Sequence, residues 1–199
     1  MKLGKMKYRG TIMVDIDGVL ADWETPMCDA FGYVNRHMYS PYDRYPDVDR
    51  GLIEEFIANP DNYVDLEPIF GGLLFCRQAF QRGWYIWLCT ARPESVWEVT
   101  KEWLNKYPVM YHEVSRTSNK ADTILAFNKA NPDKEVRIAV DDSVSVLRSL
   151  PTRVYPVAFH QLWNNGFYPE MWYDEEEMKL MIIDNPSNES VGVWDKVGK

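Results

Sequence analysis

The sequence predicts an α/β fold with a doubly wound, Rossmann-like parallel sheet. Short apolar runs that are typical of buried strands alternate with longer segments in which apolar residues recur at helical spacing. Three of the runs end in polar side chains, at Asp15, Thr90 and Asp141. This alternation indicates parallel strands with helices on both faces, and the carboxyl ends of such strands share one edge of the sheet. We therefore expect the functional site at that edge.

Five stretches are predicted to be strands. They are residues 11–14, 84–90, 109–114, 136–140 and 153–159. The first, second and fourth are the runs that end in polar side chains. The third is short, and the last is the weakest of the five.

Helices are predicted in the intervals between the strands. Apolar residues recur at helical spacing from Leu73 to Phe80, and Gly83 is a natural stop for that helix. Pro93 can open the next helix, which Pro108 ends. Three more helices are predicted at residues 120–131, 143–150 and 174–183, followed by a polar tail at 185–199.

The segment between the first strand and the next core helix has a different composition. In residues 22–33 apolar residues recur at helical spacing, which predicts a helix. Residues 39–49 are rich in proline and have a loop-like composition, and residues 52–58 are predicted to form a short helix. We therefore divide the chain into an α/β core, residues 1–21 and 71–199, and a small helical insertion, residues 22–70. An elaboration without contact to substrate is the alternative for this insertion.

The composition limits the classes of protein to consider. The 199 residues suffice for one compact domain with an insertion, and 46% of them are hydrophobic and 26% charged, so neither disorder nor a membrane span is expected. The formal charge of −8 argues against a protein that binds an extended stretch of nucleic-acid backbone. Three cysteines without a close pair indicate neither disulfides nor a zinc site, and no signal peptide precedes the first strand, so we expect a cytoplasmic protein.

Two carboxylates follow the first strand. Asp15 and Asp17 are two residues apart, so in an extended backbone they face the same side, and Gly18 lets the chain turn away. Two carboxylates at so short a distance repel each other, and a bound cation or a shared proton relieves the repulsion. A solvated Asp-Gly turn is the alternative for the motif alone.

Together the polar strand ends resemble a known signature. An Asp-x-Asp-Gly strand end, a strand-terminal Thr, a lone Lys and an acidic pair after another strand resemble, in order and spacing, the four motifs of the haloacid dehalogenase superfamily of phosphohydrolases. The corresponding residues here are Asp15, Asp17, Gly18, Thr90, Lys120, Asp141 and Asp142. The resemblance implies the Rossmann-like fold of that superfamily, with residues 22–70 as a small cap over the active site.

The resemblance also implies roles for these residues. Asp15 would attack phosphorus and form an aspartyl-phosphate, and Asp17 would act as general acid and base. Thr90 and Lys120 would stabilise the phosphoryl group. Magnesium would be held by Asp15, the main-chain oxygen of Asp17, and the Asp141-Asp142 pair, without a choice between the last two.

Within the superfamily the chain is most similar to the 5′(3′)-deoxyribonucleotidases. The similarity lies in residues 15–23, 62–68, 88–90 and 138–142. It implies a (deoxy)nucleoside monophosphate as the small-molecule substrate, with Trp23 holding the base. We also expect Tyr63 and Arg92 in the substrate-binding site. Packing of Trp23 between cap and core is the alternative.

Other functions remain open from the sequence. Residues 90–93, Thr-Ala-Arg-Pro, and the spacing before Lys120 depart from the nucleotidase pattern. The Thr-Ala-Arg-Pro-Glu stretch also looks like the 3′-phosphatase domain of phage polynucleotide kinases, and a basic groove of Arg92, Lys101 and Arg116 would favour that nucleic-acid substrate. A catalytically silent binding protein is the third hypothesis. Whether the protein forms a homodimer is left open.

Overall fold

The computed structural model of the protein describes residues 8–32 and 37–164. Within them, five parallel strands form one sheet with the order β3-β2-β1-β4-β5. The strands are β1 Thr11–Val14, β2 Tyr85–Thr90, β3 Glu113–Arg116, β4 Val136–Asp141 and β5 Tyr155–Ala158. The order runs outward from β1 in both directions, so the predicted doubly wound parallel sheet is confirmed.

Helices cover both faces of the sheet and build the insertion. The α-helices of the described residues are α1 Glu24–Phe31, α2 Pro41–Arg44, α3 Arg50–Ala58, α4 Phe70–Gln81, α5 Trp97–Lys106, α6 Lys120–Ala130 and α7 Val144–Ser149. Short 3₁₀ turns add Pro60–Tyr63, Glu94–Val96 and Leu162–Asn164.

The central strand β1 is buried on both faces. It pairs with β2 on one side and with β4 on the other, and its residues have no exposed surface. Ile12 and Val14 belong to the apolar cluster that includes α4 and α5, whereas Met13 packs with Ile124 and Phe127 of α6 on the other face. A strand covered on both faces needs a mostly apolar sequence, which Ile12, Met13 and Val14 supply. The strand places the next residue, Asp15, at the middle of the sheet edge.

The insertion forms a helical layer with an apolar centre of its own. Met27, Tyr45 and Ile53 are buried together, one each from α1, the end of α2 and α3. The loop predicted for residues 39–49 is therefore partly wrong, because it contains α2. Pro41 begins that helix at a position where no intrahelical N–H is needed.

The bounds predicted for the third strand are also wrong. The sequence places it at residues 109–114, but β3 is Glu113–Arg116. Val109 is buried beside the core without joining the sheet, whereas the β3 residues are only half-buried or exposed, as suits an edge strand. The most apolar part of the stretch is thus not the strand.

Other differences are smaller. The helix predicted to open at Pro93 begins as the 3₁₀ turn Glu94–Val96 before α5. The helix predicted at 174–183 and the tail at 185–199 lie outside the described residues. No helix in the part of the chain described here is long and apolar enough to cross a bilayer.

Candidate active site

The candidate site lies at the carboxyl edge of the sheet, where β1 and β4 end side by side. The N–H of Asp15 donates to the carbonyl oxygen of Val140 at 3.0 Å, which extends the ladder past β1. The chain then turns at Gly18, whose φ of +73° favours glycine. A Cβ on Gly18 would also overlap the carboxylate of Asp142. The turn after β1 is therefore packed directly against the acidic end of β4.

Three buried carboxylates, those of Asp15, Asp141 and Asp142, meet at this edge. Each offers one oxygen, and the three oxygens lie within 4.8 Å of one another. Burial raises the pKa of Asp15 to about 7 against the opposing charge of Lys120, and the charges of Asp141 and Asp17 add to the rise. Burial also raises the pKa of Asp142 well above its ordinary value, and Asp141 and Asp15 again add to it. The cluster therefore favours a positive charge among its oxygens.

Lys120, the first residue of α6, contacts two of these carboxylates. Its Nζ donates to Oδ2 of Asp141 at 2.6 Å and lies 2.9 Å from Oδ1 of Asp15. The N–H of Ile16 donates to Oδ1 of Asp15 at 2.8 Å, and that of Ser143 to Oδ1 of Asp141 at 2.9 Å. Although burial alone would lower the pKa of Lys120, Asp141 and Asp15 hold it well above its ordinary value. Both oxygens of Asp141 thus have protein partners.

The donor set fits a magnesium ion. Magnesium prefers carboxylate oxygens, and three carboxylates against one lysine leave a net negative charge for it to neutralise. Among residues 8–32 and 37–164, Asp15, Asp141 and Asp142 are the acidic, His or Cys side chains close enough to share an ion. The side chain of Asp17 is not part of the group, which leaves its main-chain oxygen as the ligand to test.

Asp17 is instead paired with Arg92. The guanidinium donates from Nε to Oδ2 of Asp17 at 2.9 Å and from Nη2 to Oδ1 at 2.6 Å. The third nitrogen, Nη1, donates to the hydroxyl of Thr100 at 3.0 Å. The main-chain N–H of Arg92 donates to Oγ1 of Thr90 at 3.2 Å, which joins the end of β2 to the same group. Arg92 is a predicted substrate ligand, but its guanidinium nitrogens all have partners within the protein.

A pocket of about 560 Å³ opens above these residues, between the core and the insertion. This volume lies in the usual range for small-molecule sites. Its core side includes Asp15, Asp17, Thr90, Arg92 and Asp142, whereas Lys120 and Asp141 lie behind that layer. Its insertion side includes Trp23, Met27, Tyr39, Arg44, Ile57 and Tyr63.

The predicted binding residues Trp23 and Tyr63 form part of an aromatic column. Their rings are stacked, with centroids 4.5 Å apart and planes 16° from parallel. Trp23 also contacts Phe56 at 5.4 Å, and Cζ of Arg92 lies 4.6 Å from the Tyr63 ring centroid. The hydroxyl of Tyr63 donates to the carbonyl of Ile57 at 2.8 Å. Trp23 therefore both lines the pocket and packs the insertion.

Sequence reasoning missed the segment after β5. Nε2 of Gln161 donates to the carbonyl of Gly18 at 2.7 Å, and Nε1 of Trp163 and Nδ2 of Asn164 donate to the carbonyl of Asp142 at 3.2 and 3.0 Å. These bonds hold the two acidic turns together. The one sequence signal was position, because the segment follows the carboxyl end of a strand.

Two pocket residues of the insertion were missed as well. Tyr39 lines the pocket, and its ring lies 6.4 Å from that of Trp163. The guanidinium of Arg44 lies 4.8 Å from the Trp163 ring centroid and 3.7 Å from Glu24. Both lie in a stretch that reads as a loop, with no motif to mark them.

The basic side chains named for a nucleic-acid groove are paired with acids. Lys101 contacts Glu98 at 2.7 Å, and Arg116 contacts Glu94. Arg92 is buried on Asp17. Their positive charges are therefore locally compensated.

No protein-family model matches the sequence, and no curated protein matches it. Its fold is similar to that of a haloacid dehalogenase-like family hydrolase from Streptococcus pneumoniae, with a TM-score of 0.55 and 13% identity over 76% of this chain and 84% of that one. A predicted phosphatase from Clostridium acetobutylicum has a TM-score of 0.53 and 12% identity over 76% and 85%. A dehalogenase has a TM-score of 0.53 and 11% identity over 81% and 88%. The chain thus has the haloacid dehalogenase fold, and its structural neighbours are hydrolases.

Proposed function

We propose that this protein is a Mg²⁺-dependent phosphomonoesterase that hydrolyses (deoxy)nucleoside monophosphates through an aspartyl-phosphate intermediate. The observation that carries the proposal is the placement of Asp15. It lies buried at the end of the central strand, beside Lys120 and two further carboxylates, on the floor of a pocket of small-molecule size.

Asp15 is the nucleophile. Its Oδ1 accepts from Ile16 and contacts Lys120, so Oδ2 is the attacking atom. Oδ2 forms a bond to phosphorus as the bond from phosphorus to the leaving oxygen breaks, and Asp17 gives that oxygen a proton. Asp17 then takes a proton from water as the water oxygen attacks phosphorus and the bond from phosphorus to Oδ2 of Asp15 breaks. This releases inorganic phosphate and restores both carboxyl groups.

The cation site consists of Asp15, the main-chain oxygen of Asp17, and Asp142. Asp142 is preferred over Asp141 because both oxygens of Asp141 already accept protein donors, whereas Asp142 faces the pocket. Magnesium bound there would neutralise the anionic substrate beside these carboxylates. The hydroxyl of Thr90, which lines the pocket, donates to a phosphoryl oxygen, and Lys120, behind the lining, offsets the negative charge on Asp15 and on the phosphoryl group.

The nucleotide is favoured by the aromatic side of the pocket. Trp23 and Trp163 both line it and offer planar surfaces to a base. We assign residues 22–70 to the cap that contributes Trp23 and Tyr63, and residues 1–21 and 71–199 to the core. The compensated charges of Lys101 and Arg116 do not favour a polynucleotide.

Phosphate release from a substrate panel tests the proposal. The panel contains nucleoside monophosphates, sugar phosphates, p-nitrophenyl phosphate and a 3′-phosphorylated oligonucleotide, each with Mg²⁺ and with a chelator. We expect turnover of nucleoside monophosphates that the chelator abolishes. Asp15→Asn should lower it at least roughly 1,000-fold.

The matched control is Asp65→Asn. Asp65 is exposed and pairs with Lys106 outside the pocket, so this variant should keep the parent's activity. An inactive parent, or a folded Asp15→Asn protein as active as the parent, would overturn the mechanism. Preference for the oligonucleotide would instead support the polynucleotide phosphatase.

A further inference from the structure

We propose that Arg92 is a positioning residue that holds the carboxylate of Asp17 toward the leaving group, and that Thr100 and Tyr63 hold Arg92 for this task. The proposal deepens the function above and depends on it. It also changes the role expected for Arg92, from a ligand of the substrate to a partner of the general acid.

The pairing between the two side chains is bidentate. Nε of Arg92 donates to Oδ2 of Asp17 at 2.9 Å and also lies 3.1 Å from Oδ1, and Nη2 donates to Oδ1 at 2.6 Å. Two parallel bonds define the plane of a carboxylate, which a single bond cannot do. The side chain of Asp17 is 25% exposed, so without this partner it would have room to rotate.

Arg92 is itself held on every side. The Thr100 hydroxyl accepts from Nη1 at 3.0 Å and donates to the carbonyl of Val96 at 2.8 Å, so its direction is set by α5. The Tyr63 ring covers a face of the guanidinium, at 4.6 Å. Arg92 is 3% exposed and Thr100 is fully buried. A residue this enclosed is suited to fixing a neighbour and poorly suited to following a substrate.

The arrangement predicts which kinetic constant depends on Arg92. The guanidinium of Arg92 is already paired with Asp17 and is not available to bind the substrate. Substitution of Arg92 should therefore lower kcat more than it raises KM. The loss should be greatest for an alkyl leaving group, which needs a proton, and smallest for p-nitrophenolate, which does not. A direct phosphate ligand would affect both substrates alike.

A double-mutant cycle tests the proposal, with Arg92→Lys, Asp17→Asn and the combined variant measured on a nucleoside monophosphate and on p-nitrophenyl phosphate. We expect Asp17→Asn to lower kcat on the nucleotide about 10² to 10⁴-fold, and Arg92→Lys about 100-fold. The combined variant should be no slower than Asp17→Asn alone, because Arg92 then has nothing to position. Losses that multiply, with a higher KM, would overturn the proposal.

Thr100→Val provides a second cycle, which decides the question if Arg92→Lys does not fold. It removes the acceptor of Nη1 and keeps the shape, so kcat on the nucleotide should fall about tenfold. This loss should vanish in the Asp17→Asn background. Its control is Thr152→Val, at an exposed threonine before β5, which should have no effect.

Unchanged activity in Thr100→Val, or an equal loss in both backgrounds, would contradict the positioning role. These outcomes are distinct from failure of the proposed function. If the proposed function failed, the parent protein itself would release no phosphate from any substrate.

Discussion

Trp23 belongs to two environments, and this decides what its removal should do. Tyr63 stacks on its ring and Phe56 contacts it at a tilt, so much of the indole is committed to the insertion. The same side chain lines the pocket. Trp23 therefore packs the insertion and also faces the pocket, so under the proposed function its substitution has two measurable consequences.

We predict that Trp23→Ala lowers kcat/KM for a deoxynucleoside monophosphate about tenfold to hundredfold, the scale of 1 to 3 kcal/mol for a base on an aromatic ring. A small sugar phosphate should lose much less. The melting temperature should fall too, because the Tyr63 ring loses its stacking partner. Both substrates and thermal unfolding are measured on the same preparation.

Phe56→Ala is the control for this experiment. Phe56 contacts Trp23 but does not line the pocket, so it should lower stability without distinguishing the two substrates. If Trp23→Ala behaves in the same way, Trp23 serves packing alone and the base lies elsewhere.

At the scale of elements, α3 shows how the insertion is held together. Ile53 is fully buried with Met27 and Tyr45, whereas its neighbour Leu52 is 53% exposed. The two residues share a helix and have similar apolar side chains. Comparing their substitutions therefore separates the effect of burial on stability from the effect of helix propensity.

We predict that Ile53→Ala lowers the free energy of unfolding by about 2 to 5 kcal/mol, because it leaves a cavity among packed side chains. Leu52→Ala should change it by no more than about 0.5 kcal/mol. Chemical denaturation measures both. Equal effects of the two substitutions would mean that the buried cluster does not stabilise the insertion.

At the scale of the whole molecule, the acidic cluster couples stability to pH. The pKa of Asp15 is about 7 in the fold against an ordinary value of 3.8, and that of Asp142 is raised as well. The folded state therefore binds protons more tightly than the unfolded state between these values. By linkage, these groups stabilise the fold most at low pH, and the contribution is lost as pH rises through about 7.

We predict that chelator-treated protein melts at a lower temperature at pH 8 than at pH 5.5. Asp15→Asn should reduce this slope, since it removes one of the groups that titrate. Magnesium should raise the melting temperature more at pH 8, where it does not compete with protons for the carboxylates. A melting temperature that rises over this range, or an unchanged slope in Asp15→Asn, would contradict the coupling.

The sequence by itself determined the sheet and the acidic centre of the site. The apolar residues Ile12, Met13 and Val14 before Asp15 predict a buried strand, and parallel strands bring their carboxyl ends to one edge of the sheet irrespective of the loops between them. Asp15, Lys120, Asp141 and Asp142 therefore meet as the motifs predict. The strands and their common edge needed only local periodicity and one rule of topology, whereas the choice of Lys120 depended on the resemblance to the superfamily's motifs.

The tertiary structure alone decided what surrounds that centre. Arg92 contacts Asp17, 75 residues away in the sequence, and Gln161 contacts Gly18, 143 residues away. Neither hydrophobic periodicity nor a sequence motif predicts these two contacts. Such pairs depend on how loops pack, which local sequence does not encode. For the same reason the edge strand β3 was misplaced, because its pairing with β2 and not its own apolar content selected Glu113–Arg116.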